Sequence, residues 1–134
     1  MIIGARPWEV GQYTAEIFLH QPGYPNHVRI TDGPGPMTVD AGITDADCMV
    51  VDVPGTGPGT FQQASCSVTG TIKRIVGGSI VDIPVTVDTT VTEKRRATPT
   101  STTLGTMAWV VTERSNGAVL MDRTSRETTV VVQK

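Results

Sequence analysis

The sequence predicts an all-β fold, an antiparallel β-sandwich or barrel of immunoglobulin-like or jelly-roll-like type, and three observations lead there. First, β-branched residues dominate, with 21 Thr, 18 Val and 9 Ile against only 3 Leu. Branching at Cβ stiffens χ1, weakens helices and suits a pleated surface. Second, 14 Gly and 9 Pro cut the chain into short runs. Third, those runs read as strands meeting in hairpins, and no stretch carries a helical period. A chain of 134 residues is about one domain and can bury a core without metals or disulfides.

Along the chain, residues 1–12 read as an extended N-terminal arm. Gly4, Pro7 and Gly11 interrupt any regular element there, and Trp8 is a large apolar side chain in a polar setting. The β-domain then spans 13–134, beginning with strands at 13–20, 27–31, 37–40 and 47–53. Turn clusters separate them at 21–26 and 32–36, and 43–47 suits a short helical turn. The loop 54–60 has the glycine content of a phosphate loop. It lacks the Lys that would reach a phosphate, and no helix pattern follows it, so no nucleotide site is expected.

Gly77-Gly78 is the strongest local signal, a two-residue hairpin turn between two long strand-like runs. If Val76 pairs with Ser79, then Ile72 meets Ile83, Gly70 meets Val85 and Val68 meets Val87. This face is apolar except for Arg74, and on the other face Lys73 meets Asp82. A slip of one residue would turn Val81, Ile83, Val85 and Val87 outward. Pro84 cannot donate to a ladder, which predicts an edge or a bulge there. Residues 93–105 read as a long exposed loop. A second hairpin pairs 105–114 with 118–123 around a four-residue loop, Val111 meeting Leu120 and Val110 meeting Met121. Apolar side chains on both of its faces make 105–114 a central strand, with Trp109 in the core. A strand at 127–133 closes a set of eight or nine.

Chemistry-bearing residues are sparse. Cys48 and Cys66 each lie in a strand-like run; two buried thiols are expected, with a disulfide as the alternative. His20 and His27 flank a Pro/Gly turn, where Asp32 or Asp40 could join them, but a metal site needs at least three convergent ligands. Asp45, Asp47 and Asp52 do not match a calcium loop. Nothing selects a pair of carboxylates for glycoside hydrolysis. No catalytic residue, metal or cofactor is therefore expected. The net charge of −2 creates no field for nucleic acid, and no apolar run approaches the length of a membrane span. The start at Met1 carries no signal-peptide pattern, so synthesis in a host cytoplasm is expected. The basic cluster Lys94-Arg95-Arg96 suits contact with an acidic partner surface.

The arm at 1–12, the Thr/Val-rich β-domain, the Gly77-Gly78 hairpin, the Thr-rich 93–105 loop and the closing Thr128-Thr-Val-Val-Val132 run together resemble small accessory proteins of tailed-bacteriophage virions. The resemblance covers the whole chain. It implies a non-enzymatic structural protein of the virion, of decoration, cement or head-to-tail joining type. Such a protein binds neighbouring capsid or tail subunits as a homo-oligomer or on a lattice. In that reading Ile2, Ile3, Trp8 and Val10 of the arm, with Lys94, Arg95 and Arg96, contact the partner. Two alternatives remain: an immunoglobulin-like binding module of an adhesive or cell-surface protein, and a small β-barrel hydrolase or sugar-binding protein.

Overall fold

A computed structural model describes residues 1–10, 13–32, 38–54, 61–96 and 102–134, without the side chains of 6–10 and 32. The described residues form ten strands: β1 (Ile2–Val10), β2 (Tyr13–Leu19), β3 (His27–Asp32), β4 (Thr38–Gly42), β5 (Cys48–Val53), β6 (Phe61–Val76), β7 (Ser79–Arg96), β8 (Thr103–Glu113), β9 (Val119–Thr124) and β10 (Thr128–Gln133). A 3-10 turn, Asp45–Asp47, meets the short helical turn expected at 43–47. The all-β prediction therefore holds.

Every pairing is antiparallel, and the strands run in the order β4-β3-β2-β1-β10-β8-β7-β6-β5, with β9 also on β8. The two ends of this order, β4 and β5, are consecutive in the chain. Residues 43–47 join them, a link that reaches at most about 20 Å. Laid flat, nine strands would hold those ends about 38 Å apart. The connection thus requires the sheet to curl, and it forms a half-barrel. Val39 and Ala41 of β4 come to lie over Gly70 of β6. The apolar faces enclose one core that includes Ile3, Ile17, Val28, Ile30, Val87 and Trp109.

The expected arm is a correction. Residues Ile2–Val10 form an internal strand, paired on one side with β10 (Ile3↔Val132, Ala5↔Val130) and on the other with β2 (Ile3↔Leu19, Trp8↔Ala15). Its interruptions fall where they do little harm. Pro7 lies beyond the last β10 partner, inside the register shift between Ala5 and Trp8, so its missing N–H breaks no pair. Ile3 and Ala5 are fully buried. The single domain therefore begins with β1 and not at residue 13.

The Gly77-Gly78 hairpin has the predicted register throughout, from Val76↔Ser79 through Ile72↔Ile83 to Val68↔Val87. Both glycines have positive φ, 58° and 82°, which the turn requires of them. Pro84 lies at an edge, as predicted: it is the last residue of the part of β7 that has β6 as its one strand partner. β7 is internal along most of its length, but β8 ends at Glu113, opposite Val85. The Pro84 carbonyl accepts from the Arg114 N–H. Its nitrogen points to the same side, away from β6, so the β6–β7 ladder loses nothing.

In the second hairpin the loop is as expected. The Glu113 N–H donates to the Ala118 carbonyl, and the Gly117 N–H to that of Glu113. The register then differs: Thr112 meets Val119, but Val111 meets Met121 and Val110 meets Asp122. A bulge at Leu120 causes the slip and delivers Met121 to the core. β8 is central, as predicted, and Trp109 is fully buried.

Candidate interaction surface

β6 and β7 are 16 and 18 residues long, far longer than their neighbours. β5 flanks β6 only from Phe61 to Cys66, and β8 flanks β7 only from Val85 onward. The hairpin between Ser67 and Pro84 therefore outruns the sheet, with no strand among the described residues on its outer edges. Near the body its inner face is buried, with Val68 and Ile72 in the core. Arg74 leans back to Glu113, 3.1 Å away, and so ties the hairpin to the end of β8. Lys73 and Asp82 make the expected cross-strand pair at 2.9 Å on the outer face.

Beyond Arg74 the character changes. Ile75 is 71% exposed, Ile80 70%, Val76 52% and Val81 39%. Ile75 and Ile80 are cross-strand partners on one face, while Val76 and Val81 lie on the other. The end of the hairpin is thus apolar on both faces. Exposed single hydrophobics are ordinary on a protein surface; four branched side chains clustered at a projecting end make this hairpin end the candidate interaction surface. The sequence places Val81 on the inward face with Ile83, Val85 and Val87; Val85 and Val87 are buried and Ile83 is half-buried, but Val81 is exposed. The missed signal was that the Val/Ile run continues to the turn on both strands, where alternation should have given way to polar residues.

The residues expected to contact a partner are not gathered on one surface. Ile2 is half-buried and Ile3 fully buried within the chain's own sheet. Trp8 and Val10 are in β1, and their side chains lie outside the described residues. The basic cluster is not on a loop, because β7 continues through Arg96 and β8 begins at Thr103. Of the stretch 93–105 expected as a loop, 93–96 and 103–105 are strand, and residues 97–101 lie outside the described residues. Arg95 pairs with Glu127 at 2.6 Å; Arg96 lies 5.8 Å over the Phe61 ring and donates to Thr103; Lys94 is exposed.

The remaining polar groups are dispersed. His20 pairs with Asp45 and His27 with Glu16, each at 2.9 Å, so the two histidines do not converge. The His20 hydrogen bond holds the Asp45 carboxyl below the usual carboxylate range. Asp40 is taken by Arg29, whose pKa it raises further, chiefly through their hydrogen bond. Asp47 caps the 3-10 turn by accepting from the Thr44 N–H and hydroxyl. The Asp32 side chain and the loops 33–37 and 55–60 lie outside the described residues. Among those described, no group of three or more His, Cys, Asp or Glu could hold a metal, and no helix is long and apolar enough to cross a membrane.

One cleft of about 490 Å³ opens where β10 crosses the start of β8, lined by Gln62, Glu93, Arg96, Thr103 and Gln133 among others. Glu93 is buried and accepts from the Gln62 N–H at 2.7 Å. Burial raises its pKa; the Gln62 and Val132 N–H groups and the Arg96 charge pull the other way. It is the single carboxylate among the lining residues, so the pair that hydrolysis of a glycosidic bond needs is not assembled there.

Cys48 and Cys66 are bonded to one another, which corrects the expectation of two thiols. They face each other across β5 and β6 with Cα atoms 4.1 Å apart. That spacing belongs to a non-hydrogen-bonded pair, where side chains come closest.

No protein-family model matches the chain, no curated protein matches it in sequence, and no solved structure matches it in fold.

Proposed function

We propose that this chain is a non-enzymatic assembly protein that seats the apolar end of its β6–β7 hairpin on neighbouring subunits of a larger particle. The setting that the sequence resemblance implies is the capsid or tail of a tailed bacteriophage, with the protein acting in decoration, cementing or head-to-tail joining. The observation that carries this reading is the cluster Ile75, Val76, Ile80 and Val81, exposed on both faces of a hairpin that outruns its sheet. Burying such surface contributes roughly 25 cal/mol per Å². A hairpin already ordered by fourteen residue pairs forfeits little further entropy on docking.

The disulfide favours a second reading. Disulfides persist outside a reducing cytoplasm, which suits a binding module of an adhesive or cell-surface protein as well as a released particle. Co-sedimentation with particles assembled in a host separates the two. The assembly reading expects the wild-type chain in the particle fraction. It expects the double variant Ile75→Asp/Ile80→Asp, with an unchanged melting temperature, to stay in the supernatant. Incorporation of that folded variant at the wild-type level would remove the hairpin end from the account.

A further inference from the structure

The hairpin also offers an unguarded edge. Val76 pairs with Ser79 next to a two-residue turn, so the even-numbered residues of β6 exchange hydrogen bonds with β7. The odd-numbered residues Ser67, Thr69, Thr71, Lys73 and Ile75 turn their N–H and C=O groups to the opposite side. From Phe61 to Cys66 that side is filled by β5. From Ser67 to Val76 no strand among the described residues occupies it. This is ten residues without a strand partner on that side, free of proline and rich in Thr, Ile and Val; its two charges, Lys73 and Arg74, are already paired within the chain with Asp82 and Glu113. Free edges are normally short, charged or interrupted by proline. β4 has five residues and carries Asp40, and the open part of β7 ends at Pro84.

We infer that this edge pairs with the same edge of a second copy of the chain, antiparallel about a two-fold axis at Ile72, so that two half-barrels share one continuous sheet. The inference rests on the assembly reading above and names its partner. Three features select a second copy in this register. The slot has a fixed length, bounded by Cys48 at one end and the Gly77-Gly78 turn at the other. Pairing Val68 with Val76 of the second copy fills it and stops just short of Cys66, where Cys48 already sits. Moving the axis by one residue to Thr71 would set Val76 against Cys66, which β5 occupies. In the selected register no like charges stand directly opposite, Lys73 meeting Thr71 and Arg74 meeting Gly70, and the two Lys73 side chains, diagonal neighbours across the axis, are each paired with their own chain's Asp82. Finally, exposed Ile75 and Val76 acquire neighbours in Thr69 and Val68 of the other copy. An isologous contact of this kind is the commonest form of protein dimer.

The test is light scattering of the full chain over a concentration series, with two variants of opposite sign. Thr71 is exposed on the outer face and would lie opposite Lys73 of the second copy. Thr71→Lys should weaken the dimer about tenfold or more, and Thr71→Asp should strengthen it. A role confined to one chain's own fold would not give opposite signs in the dissociation constant. A wild-type chain that stays monomeric at hundreds of micromolar overturns the two-fold pairing. So does a dimer indifferent to both changes at Thr71. Neither result touches the particle-binding reading, which stands or falls on the co-sedimentation of Ile75→Asp/Ile80→Asp.

Discussion

Cys48 and Cys66 close a loop with a sequence separation of 18 that includes all of β5 and the connection to β6. β5 ends the strand order, and β6 is its sheet partner. The bridge therefore fastens a strand that has β6 as its one sheet partner. Constraining a loop of that length in the unfolded chain contributes about 3 kcal/mol in the chain-entropy treatment. Reduction, or Cys48→Ser with Cys66→Ser, should lower the melting temperature by several degrees in calorimetry. An unchanged transition would mean that the bridge carries no stability. Neighbouring positions on β6 should respond very differently. Ile72 is fully buried, and Ile72→Ala should cost about 2–5 kcal/mol. Lys73 is exposed and paired in solvent, and Lys73→Ala should cost under about 1 kcal/mol in denaturant titration. Glu93 adds a pH dependence. Its folded pKa is raised by burial, so the unfavourable charging is absent below the unfolded value and grows as pH rises through the folded one. Glu93→Gln keeps an acceptor for the Gln62 N–H and removes that charge. The variant should match or exceed the wild type in stability near neutral pH. The difference should shrink as pH falls towards the ordinary carboxylate range, which thermal melts across about pH 4 to 7 would reveal.

At the scale of elements, legibility followed the locality of the signal. The Gly77-Gly78 hairpin could be read to the residue because a two-residue turn fixes the register and both faces agree with it. The second hairpin was read correctly at its loop and wrongly beyond it, because nothing local marks Leu120 as the extra residue of a bulge. β1 was misread for a related reason. Gly4 and Pro7 look like breakers in isolation, yet only the position of β10, some 125 residues later, decides whether Pro7 faces a partner. Distant placement also decides the role of Gly105, the first residue of the predicted 105–114 strand, which lies where β10 crosses β8. A Cβ there would collide with the Thr92 carbonyl oxygen and come within 2.9 Å of Val130. Gly105→Ala should therefore cost about 1–3 kcal/mol or more, as overpacking against backbone does, although alanine is the better strand residue. Of the candidate site, the hairpin itself was legible and its role was not. Alternation identifies strands but does not tell where the sheet ends and the strand continues alone. That depends on where β5 and β8 stop.

Across the whole molecule, strand order follows chain order around an almost closed circuit, with the single opening between β4 and β5. A half-barrel of this kind buries its apolar faces within one chain, and this is why the N-terminal segment is needed for the core. Deleting residues 2–10 removes Ile3 and Ala5 from the core and strips β2 and β10 of a partner. The truncated chain should fail to show a cooperative melt, where a passive arm would leave the transition intact. The end of the β6–β7 hairpin, with four exposed branched side chains, stays outside this core, and partner contact is proposed for that end. Hydrogen exchange followed on the free and the assembled protein tests this most directly. The account predicts fast exchange of the Ile75–Val81 amides not bonded across the hairpin in the free chain, and strong protection of that stretch on assembly. Unchanged exchange at the hairpin, with protection appearing on another surface instead, would contradict it.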